Sequence, residues 1–337
     1  MWNFPQISVE QIYMTLGFLL SLYSCVSNDI IQTLGTFLSS NKDKPAWVIW
    51  LFSGSILSVV LIWGWIVNDG DMSFGRLEHI PFPEHLYWWH ILPPIILIFL
   101  TRFGIPVATA FLILSVFSSN AVIGHMLVKS FVGYITAFVT AYIIYTFISR
   151  KVERHFLYTA NQPPAKGWVV AKWLATAFLW SQWIMQDVAV LFVYLPRKAS
   201  LTRLVLVLAA FLVLLAVLSV KRGGEIQNIV KLKTNTMDIR SAAIIDFIYA
   251  CILLYFKEVS TIPISTTWVF VGLLAGREIA MYSRLRFESS KKVYKHVGKD
   301  LYKVTLGLVV SMMVVFTINH FDVVKNAVMN CFHPSVQ

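Results

Sequence analysis

Apolar segments long enough to cross a membrane dominate this chain, and they limit the folds open to it. A helix needs ~20 apolar residues to cross a bilayer core. Eight segments come close to that length: 9–27, 46–67, 86–101, 120–148, 168–186, 200–220, 238–256 and 302–320. Charged residues make up only 13% of the chain, against roughly 25% in soluble domains. The sequence therefore predicts an all-α polytopic membrane protein.

The net charge of +11 would suit a nucleic acid only if the basic residues formed one solvated face. Most of them lie instead in loops between the apolar segments, where the positive-inside rule explains them. We expect contact with membrane lipid and no nucleic-acid partner.

A polar motif occurs twice within the apolar surroundings. SND at 27–29 is followed by GIPVATA at 104–110, and QD at 186–187 is followed by TIPISTT at 261–267. Pro106 lies 77 positions after Asp29. Pro263 lies 76 positions after Asp187, so the two copies are offset by about 157 residues. Internal duplication around intramembrane polar residues is typical of transporters.

Charge in two corresponding loops predicts that the repeats are inverted. The loop at 68–85 has one basic residue and four acidic ones, whereas its counterpart at 221–240 has five basic residues and two acidic ones. Equivalent loops of opposite basic content are expected on opposite faces of the membrane. The predicted architecture is two inverted-topology repeats whose broken helices meet at a midplane site.

This architecture divides the chain into a first repeat at 9–148, a cytoplasmic linker at 149–167 and a second repeat at 168–320. The shorter apolar stretches 103–118 and 262–280, which contain the two Pro motifs, are expected to complete a crossing. Each half then crosses five times, and both termini face outward. The basic residues Arg197, Lys198 and Arg203 would fall on the outer side, which disagrees with the rule.

Asp29 and Asp187 each end an apolar segment, and a carboxylate inside a membrane costs several kcal/mol unless it meets a cation, water or a partner. A helix break there would add free carbonyl groups, and together these oxygens suit a hard cation. Alternatively, Asn28-Asp29 caps a helix that begins at Ile30.

The Pro motifs predict a site for an anion. Pro106 and Pro263 suit the first turn of a helix. Hydroxyl residues follow each proline: Thr109 in the first copy, and Ser265, Thr266 and Thr267 in the second. Free N–H groups, the positive end of the helix dipole and these hydroxyls can bind an oxyanion without a basic residue. Alternatively, the hydroxyls cap the helix or pack against small residues.

The two motifs resemble those of the inorganic phosphate transporter family, in which each inverted half carries an Asn-Asp motif and a Gly-x-Pro-x-Ser-Thr-Thr motif. The resemblance covers residues 15–320. It implies cation-coupled symport of phosphate, with sodium or a proton as the coupling ion, in a homodimer. The substrate site would contain Asn28, Thr109, Gln186, Ser265, Thr266 and Thr267.

Three departures from the family pattern leave the substrate open. The first motif has Ala108, Ala110 and Phe111 where the family has two hydroxyl residues and a histidine, and the second has Trp268 in place of histidine. The second Asn-Asp is Gln186-Asp187. Fewer hydroxyl donors should weaken binding of phosphate or shift preference to another anion. Sulfate is the alternative substrate.

Asp246 is a third intramembrane carboxylate. The resemblance places it with Asp29 and Asp187 in the coupling-ion site, whereas nearby Tyr249 and Lys257 favour a structural ion pair equally well. No cofactor or metal site is predicted, because the spacing of His79, His85 and His90 fits no zinc motif.

The residue pattern favours a coupled transporter over an anion channel, which has less need of two carboxylates matched across the halves. No nucleophile, metal cluster or phosphate-activating motif indicates an enzyme. The short loops suit a plasma (inner) membrane protein.

Overall fold

The computed structural model describes residues 8–160, 162–221, 238–285 and 290–320, and every regular element within them is a helix. The helices are α1 Val9–Asn28, α2 Ile30–Ser40, α3 Ala46–Val67, α4 Leu92–Arg102, α5 Thr109–Leu114, α6 Asn120–Ile148, α7 Arg154–Tyr158, α8 Lys166–Asp187, α9 Ala189–Phe192, α10 Leu201–Lys221, α11 Ile239–Val259, α12 Thr266–Leu285 and α13 Ser290–Asn319. Single turns of 3-10 helix precede α4 and follow α5, and a π-helical turn joins α6 to α7.

Six helices among the described residues are long and apolar enough to cross a membrane. They span Val9–Asn28, Ala46–Val67, Asn120–Tyr158, Leu201–Lys221, Ile239–Val259 and Lys291–Asn319. The chain is therefore an all-α polytopic membrane protein, which confirms the class predicted from composition. The helix expected to end at Ile148 instead continues to Tyr158, so part of the predicted linker is helical.

The order of elements repeats along the chain. Each half contains a broken helix, a long helix, two helices joined by a Pro motif, and a last long helix. The breaks are equivalent: α1 gives way to α2 at Asp29, and α8 gives way to α9 at Val188. Ser8 begins α1 with a capping box formed with Gln11, which satisfies backbone groups at the helix start.

The two Pro motifs form the tips of hairpins, at which the chain turns back, and the expectation that the stretches containing them complete a crossing stays a prediction. In the first half, the chain enters at His90 and returns to Phe117, whose ring centroid lies 5.2 Å from that of His90. In the second half, Arg277 in the middle of α12 donates to the hydroxyl of Ser241 near the start of α11, at 3.0 Å. The segments on either side of each Pro-containing tip thus pack side by side, which shows that the chain reverses at the tip.

Within the described residues each half therefore consists of a broken helix, a second helix, a hairpin and a last helix, and the second hairpin contains α11, which is long and apolar enough to cross a membrane. The sequence could not show the reversal at the tips, because an apolar stretch that returns has the same composition as one that continues.

The broken helices of the two halves run in opposite directions. Thr36, seven positions after Asp29, accepts a hydrogen bond from Lys172, fifteen positions before Asp187. At the other end of the molecule, a Cβ built on Gly17 would lie 2.3 Å from the ring of Tyr194. Tyr194 follows Asp187 by the same seven positions. The chain beyond each break therefore lies beside the incoming helix of the other half.

The second helices of the two halves, α3 and α10, are also antiparallel. Trp50 near the start of α3 donates to the carbonyl oxygen of Leu212 at 2.9 Å. Trp65 near the end of α3 donates to the carbonyl oxygen of Ala199, just before α10, at 2.7 Å. Corresponding helices thus pair head to tail across the centre of the protein.

Each hairpin packs against the last helix of the other half. The α12 arm lies along α6, where Cβ atoms on Gly272 and Gly276 would fall 2.4 and 2.2 Å from the carbonyl oxygens of Tyr134 and Phe138. Only residues without a side chain permit this approach, and small residues serve the same purpose at other membrane helix interfaces. The interlocked hairpins bring both Pro motifs to the centre of the protein.

Candidate functional site

The amide of Asn28 ties the first break to the first hairpin tip. Its Nδ2 atom lies 2.8 Å from Asp29 Oδ1, 3.0 Å from the carbonyl oxygen of Val107 and 2.9 Å from Thr109 Oγ1. An amide nitrogen carries two protons, so these three acceptors share its donors. No side-chain cap is formed at the start of α2, which removes the helix-capping explanation for Asn28-Asp29 in this conformation.

Thr267 brings the second hairpin to the same point. Its hydroxyl lies 3.1 Å from the carbonyl oxygen of Val107 and 3.4 Å from Asp29 Oδ1. Gln32, on the first turn of α2, donates to Thr267 Oγ1 at 3.2 Å. One hydroxyl therefore touches the broken helix of the first half and the tips of both hairpins.

The second half supplies its own carboxylate at this centre. The hydroxyl of Thr266 donates to Asp187 Oδ2, and Thr266 also accepts through its carbonyl oxygen a hydrogen bond from Tyr249 at 3.0 Å. Asp187 is 1% exposed. Gln186 points elsewhere, because its Nε2 atom donates to the carbonyl oxygen of Leu253 at 2.9 Å.

Two buried amide oxygens, Gln186 Oε1 and Gln32 Oε1, have no hydrogen-bond partner among the described residues. The second oxygen of Asp187 interacts with the side chain of Trp183. Buried oxygens are normally paired, because leaving one unpaired costs about 1–3 kcal/mol. Carboxylate and amide oxygens are ligands that hard cations prefer.

Ser265 has a structural role in this conformation. Its hydroxyl accepts from the backbone N–H of Trp268 at 3.3 Å, and its own N–H donates to Ser130 Oγ at 3.1 Å. It therefore caps the start of α12, the alternative that the sequence left open. Of the predicted substrate residues, Asn28 bonds to Thr109, and Thr267 shares with Asn28 the carbonyl oxygen of Val107 and Asp29 Oδ1. Thr266 reaches Asp187, and Ser265 and Gln186 bond to other parts of the chain.

Asp246 lies in a separate polar cluster. Lys172 Nζ is 2.5 Å from Asp246 Oδ2, and Thr176 and Thr36 donate to its two oxygens at 2.7 and 2.8 Å. The partner is Lys172, whereas Lys257, the neighbour suggested by the sequence, pairs with Glu258 at 2.9 Å. A lysine within the apolar segment 168–186 was the signal that sequence reasoning missed.

The positions where family histidines are expected lie away from the polar centre. Phe111 and Trp268 both line an apolar cavity of about 580 Å³ between the first hairpin, α6, α12 and α13. Their side chains add no donor to the centre. Among the described residues no group of three His, Cys, Asp or Glu side chains could hold a metal ion, and His85 pairs with Glu10 at 2.8 Å.

Arg76, the single basic residue of the 68–85 loop, reaches the second hairpin tip. Its guanidinium donates to the carbonyl oxygens of Lys257 and Ser260, and its side chain is buried. Burial lowers the pKa of Arg76 to about 10, while the charges of Asp187 and Glu258 act in the opposite direction. Arg76 remains a cation at neutral pH and adds positive charge on one side of the centre.

The helices and this buried polar centre define a multi-pass membrane protein with broken helices and interlocked hairpins. A solved structure described as the sodium-dependent phosphate transporter has the same fold: it aligns with 92% of this chain and 96% of its own chain, with a TM-score of 0.56 and 15% sequence identity. At that identity the likeness shows the fold alone. No family model matches the sequence, and no curated protein matches it.

Proposed function

We propose that this protein is a secondary active transporter that moves a tetrahedral oxyanion, most simply inorganic phosphate, by symport with sodium or a proton. The observation that carries the proposal is the contact of Thr267 with both Asp29 and Val107. Through it, one broken helix and two hairpin tips share a buried polar centre. Movement of either half must change this centre, which is what alternating access requires.

The two halves act as inverted repeats in this proposal. Support comes from the antiparallel pairing of α3 with α10 and of each broken helix with its counterpart. Arg240 bonds to Thr159 at 2.7 Å, so the linker and the start of α11 share a face, and this basic face is cytoplasmic under the positive-inside rule. Lys198 pairs with Asp69 on the opposite face, which gives that exposed lysine a local partner there.

The substrate binds at the hairpin tips. The start of α12 offers the positive end of a 20-residue helix and the hydroxyls of Thr266 and Thr267, and Asn28 and Thr109 face it from the first half. Neutral donors of this kind bind an oxyanion through hydrogen bonds and release it more easily than an ion pair would. Ser265 and Gln186 join the substrate after a change of rotamer.

The coupling cation binds between Asp29 and Asp187. Both carboxylates are buried, and the buried, unpaired oxygen of Gln32 supplies a further ligand. Its charge offsets that of the oxyanion, so the two ligands enter together. Asp246 takes no part in coupling in this proposal, because Lys172 already neutralises it.

The likeness in fold to a phosphate transporter supports transport over enzymatic catalysis. The exposed apolar side chains of the long helices, such as Val59 and Phe147, face membrane lipid. We assign the protein to the plasma membrane and to a homodimer on the strength of the family resemblance.

Uptake driven by an ion gradient in proteoliposomes tests the proposal. Radiolabelled phosphate should accumulate when a sodium gradient or a proton gradient is imposed, and unlabelled sulfate should compete weakly. Preferential uptake of sulfate would replace phosphate as the substrate. A phosphate flux that does not saturate with phosphate concentration, and that is driven by the membrane voltage without any cation gradient, would indicate an anion channel. That result would overturn the transporter assignment.

Asp29→Asn and Asp187→Asn test the coupling site in the same vesicles. Each should abolish gradient-driven accumulation, because the amide cannot neutralise a bound cation. Asp246→Asn is the matched carboxylate outside the centre and should keep its cation dependence. Normal accumulation in both Asp29→Asn and Asp187→Asn would refute the assignment of the cation site.

A further inference from the structure

A lysine on the last helix of each half reaches the hairpin tip of the other half. Lys129 on α6 donates to the carbonyl oxygens of Ser260 and Ile262 at the second tip. Lys303 on α13 donates to the carbonyl oxygen of Gly104 at the first tip, at 3.1 Å. The two lysines therefore make the same kind of contact in opposite directions.

A glycine follows each lysine by four positions, one helical turn further on. A Cβ on Gly133 would lie 2.5 Å from the side chain of Ile264, and a Cβ on Gly307 would lie 2.7 Å from the carbonyl oxygen of Pro106. Residues four apart lie on one helix face. Each last helix thus presents a Lys-x-x-x-Gly element, in which the glycine admits the tip and the lysine bonds its carbonyl groups.

The acceptors lie at neighbouring positions in the two hairpins. Gly104 precedes Ile105-Pro106, and its counterpart Thr261, which lies between the two acceptors of Lys129, precedes Ile262-Pro263. Lysine in the apolar part of a membrane helix is costly and calls for a partner. Here the partners are carbonyl groups at the ends of the incoming arms, where the helix dipole is negative.

We propose that Lys129-x-x-x-Gly133 and Lys303-x-x-x-Gly307 are a duplicated clamp that positions the two hairpin tips for the oxyanion. Each lysine masks tip carbonyl oxygens that would repel an anion, and it fixes the tip so that the following helix start faces the centre. Both lysines are positioning residues. The link to the anion rests on the proposed transport function, whereas the clamp itself does not.

The two clamps are unequal. Arg76 also donates to the carbonyl oxygen of Ser260, so the second tip has two cationic partners. Among the described residues, Lys303 is the cation bonded to the carbonyl oxygen of Gly104 at the first tip. Loss of Lys303 should therefore free the first tip more than loss of Lys129 frees the second.

Cysteine labelling tests the clamp without reference to transport. In a variant whose native cysteines are replaced, Ile105→Cys and Ile262→Cys report on equivalent half-buried tip positions. Lys303→Met should speed methanethiosulfonate labelling at 105 by roughly tenfold, the effect of losing a hydrogen bond to a charged group, and leave labelling at 262 unchanged. Lys129→Met should act on 262 alone and by a smaller factor, and either lysine replaced by arginine should restore slow labelling.

Labelling that is unchanged in both methionine variants, or raised equally at both tips, would overturn the clamp. Transport kinetics then test the link to the anion. Lys303→Met should raise the KM for phosphate several-fold while the half-saturating cation concentration stays constant, and Lys303→Arg should restore the KM. A freed tip with an unchanged KM would refute the positioning role. Absence of transport by the unmodified protein would refute the proposed function and leave the labelling result to decide the clamp.

Discussion

Lys172 and Asp246 form an ion pair of 2.5 Å that is closed to solvent, with side chains 0% and 1% exposed. Thr36 of the first half bonds to both members. The pair therefore fixes the position of α2 against α8 and α11. The ammonium group of Lys172 lies against a carboxylate and a hydroxyl. It therefore supplies the positive charge that a bound cation would otherwise have to supply there.

Lys172→Met should destabilise the protein by about 3–5 kcal/mol, because it leaves a buried carboxylate without its counterion. The double variant Lys172→Met/Asp246→Leu should recover most of that stability, since it buries no charge. Thermal unfolding of purified protein in detergent, followed by tryptophan fluorescence, measures both. A double variant no more stable than Lys172→Met would show that the charge is not the source of the effect.

Thr267→Val should raise the KM for phosphate by roughly tenfold. The change keeps the shape of the side chain and removes the hydroxyl that bridges Asp29 and Val107, a loss of about 1–1.5 kcal/mol. Thr267→Ser keeps the hydroxyl and is the control. Initial-rate uptake in proteoliposomes provides the measurement, and equal KM values for the two variants would argue against a role of the hydroxyl.

Gly276→Ala should destabilise the protein by roughly 1–3 kcal/mol, because the new methyl group would overlap the carbonyl oxygen of Phe138 and push α12 away from α6. Gly298→Ala on α13 is the matched control, since a Cβ there meets nothing within 4 Å. That control should be neutral or slightly stabilising, as alanine favours a helix over glycine. Melting temperatures of the two variants should differ accordingly.

Membrane-impermeant labelling of single cysteines should divide the loops into two sets. Glu78→Cys in the 68–85 loop and Thr202→Cys at the start of α10 should react from one side of the membrane, because Asp69 of that loop pairs with Lys198, just before α10. Gln162→Cys and Lys151→Cys should react from the other. Reaction of Glu78→Cys and Gln162→Cys from the same side would rule out the inverted arrangement.

Asp238 should make stability depend on acid. Burial raises the pKa of this carboxyl, but hydrogen bonds and charge from Arg240 outweigh burial and hold the pKa below its ordinary value of 3.8. A depressed pKa stabilises the fold above pH 3.8, and this contribution is lost as pH falls through the lower folded value. Asp238→Asn keeps a helix-capping side chain without the charge, so its melting temperature should fall less than that of the unmodified protein between pH 5 and 3.

Local pattern was enough to predict the class of this protein and much of its centre. Apolar segments of membrane length predict helices, because every backbone group in lipid must be bonded within the segment. A carboxylate in such a segment requires a partner, which directed attention to Asp29 and Asp187. The repeated spacing to Pro106 and Pro263 predicted the duplication, and in the structure Asn28 bonds to Thr109 and shares the carbonyl oxygen of Val107 with Thr267.

Tertiary packing alone decided the features that depend on distant partners. Composition does not tell whether the chain after Pro106 or Pro263 continues or returns, so the hairpins were recognised only from the contacts of His90 with Phe117 and of Arg277 with Ser241. Asp246 pairs with Lys172, 74 positions away, and not with the nearby Lys257. Lys303 bonds to Gly104, 199 positions away. Periodicity in the sequence predicts which face of a helix is apolar. The partner of a buried charged side chain depends instead on how whole helices pack, because a buried lysine binds whichever acceptor the fold brings to it.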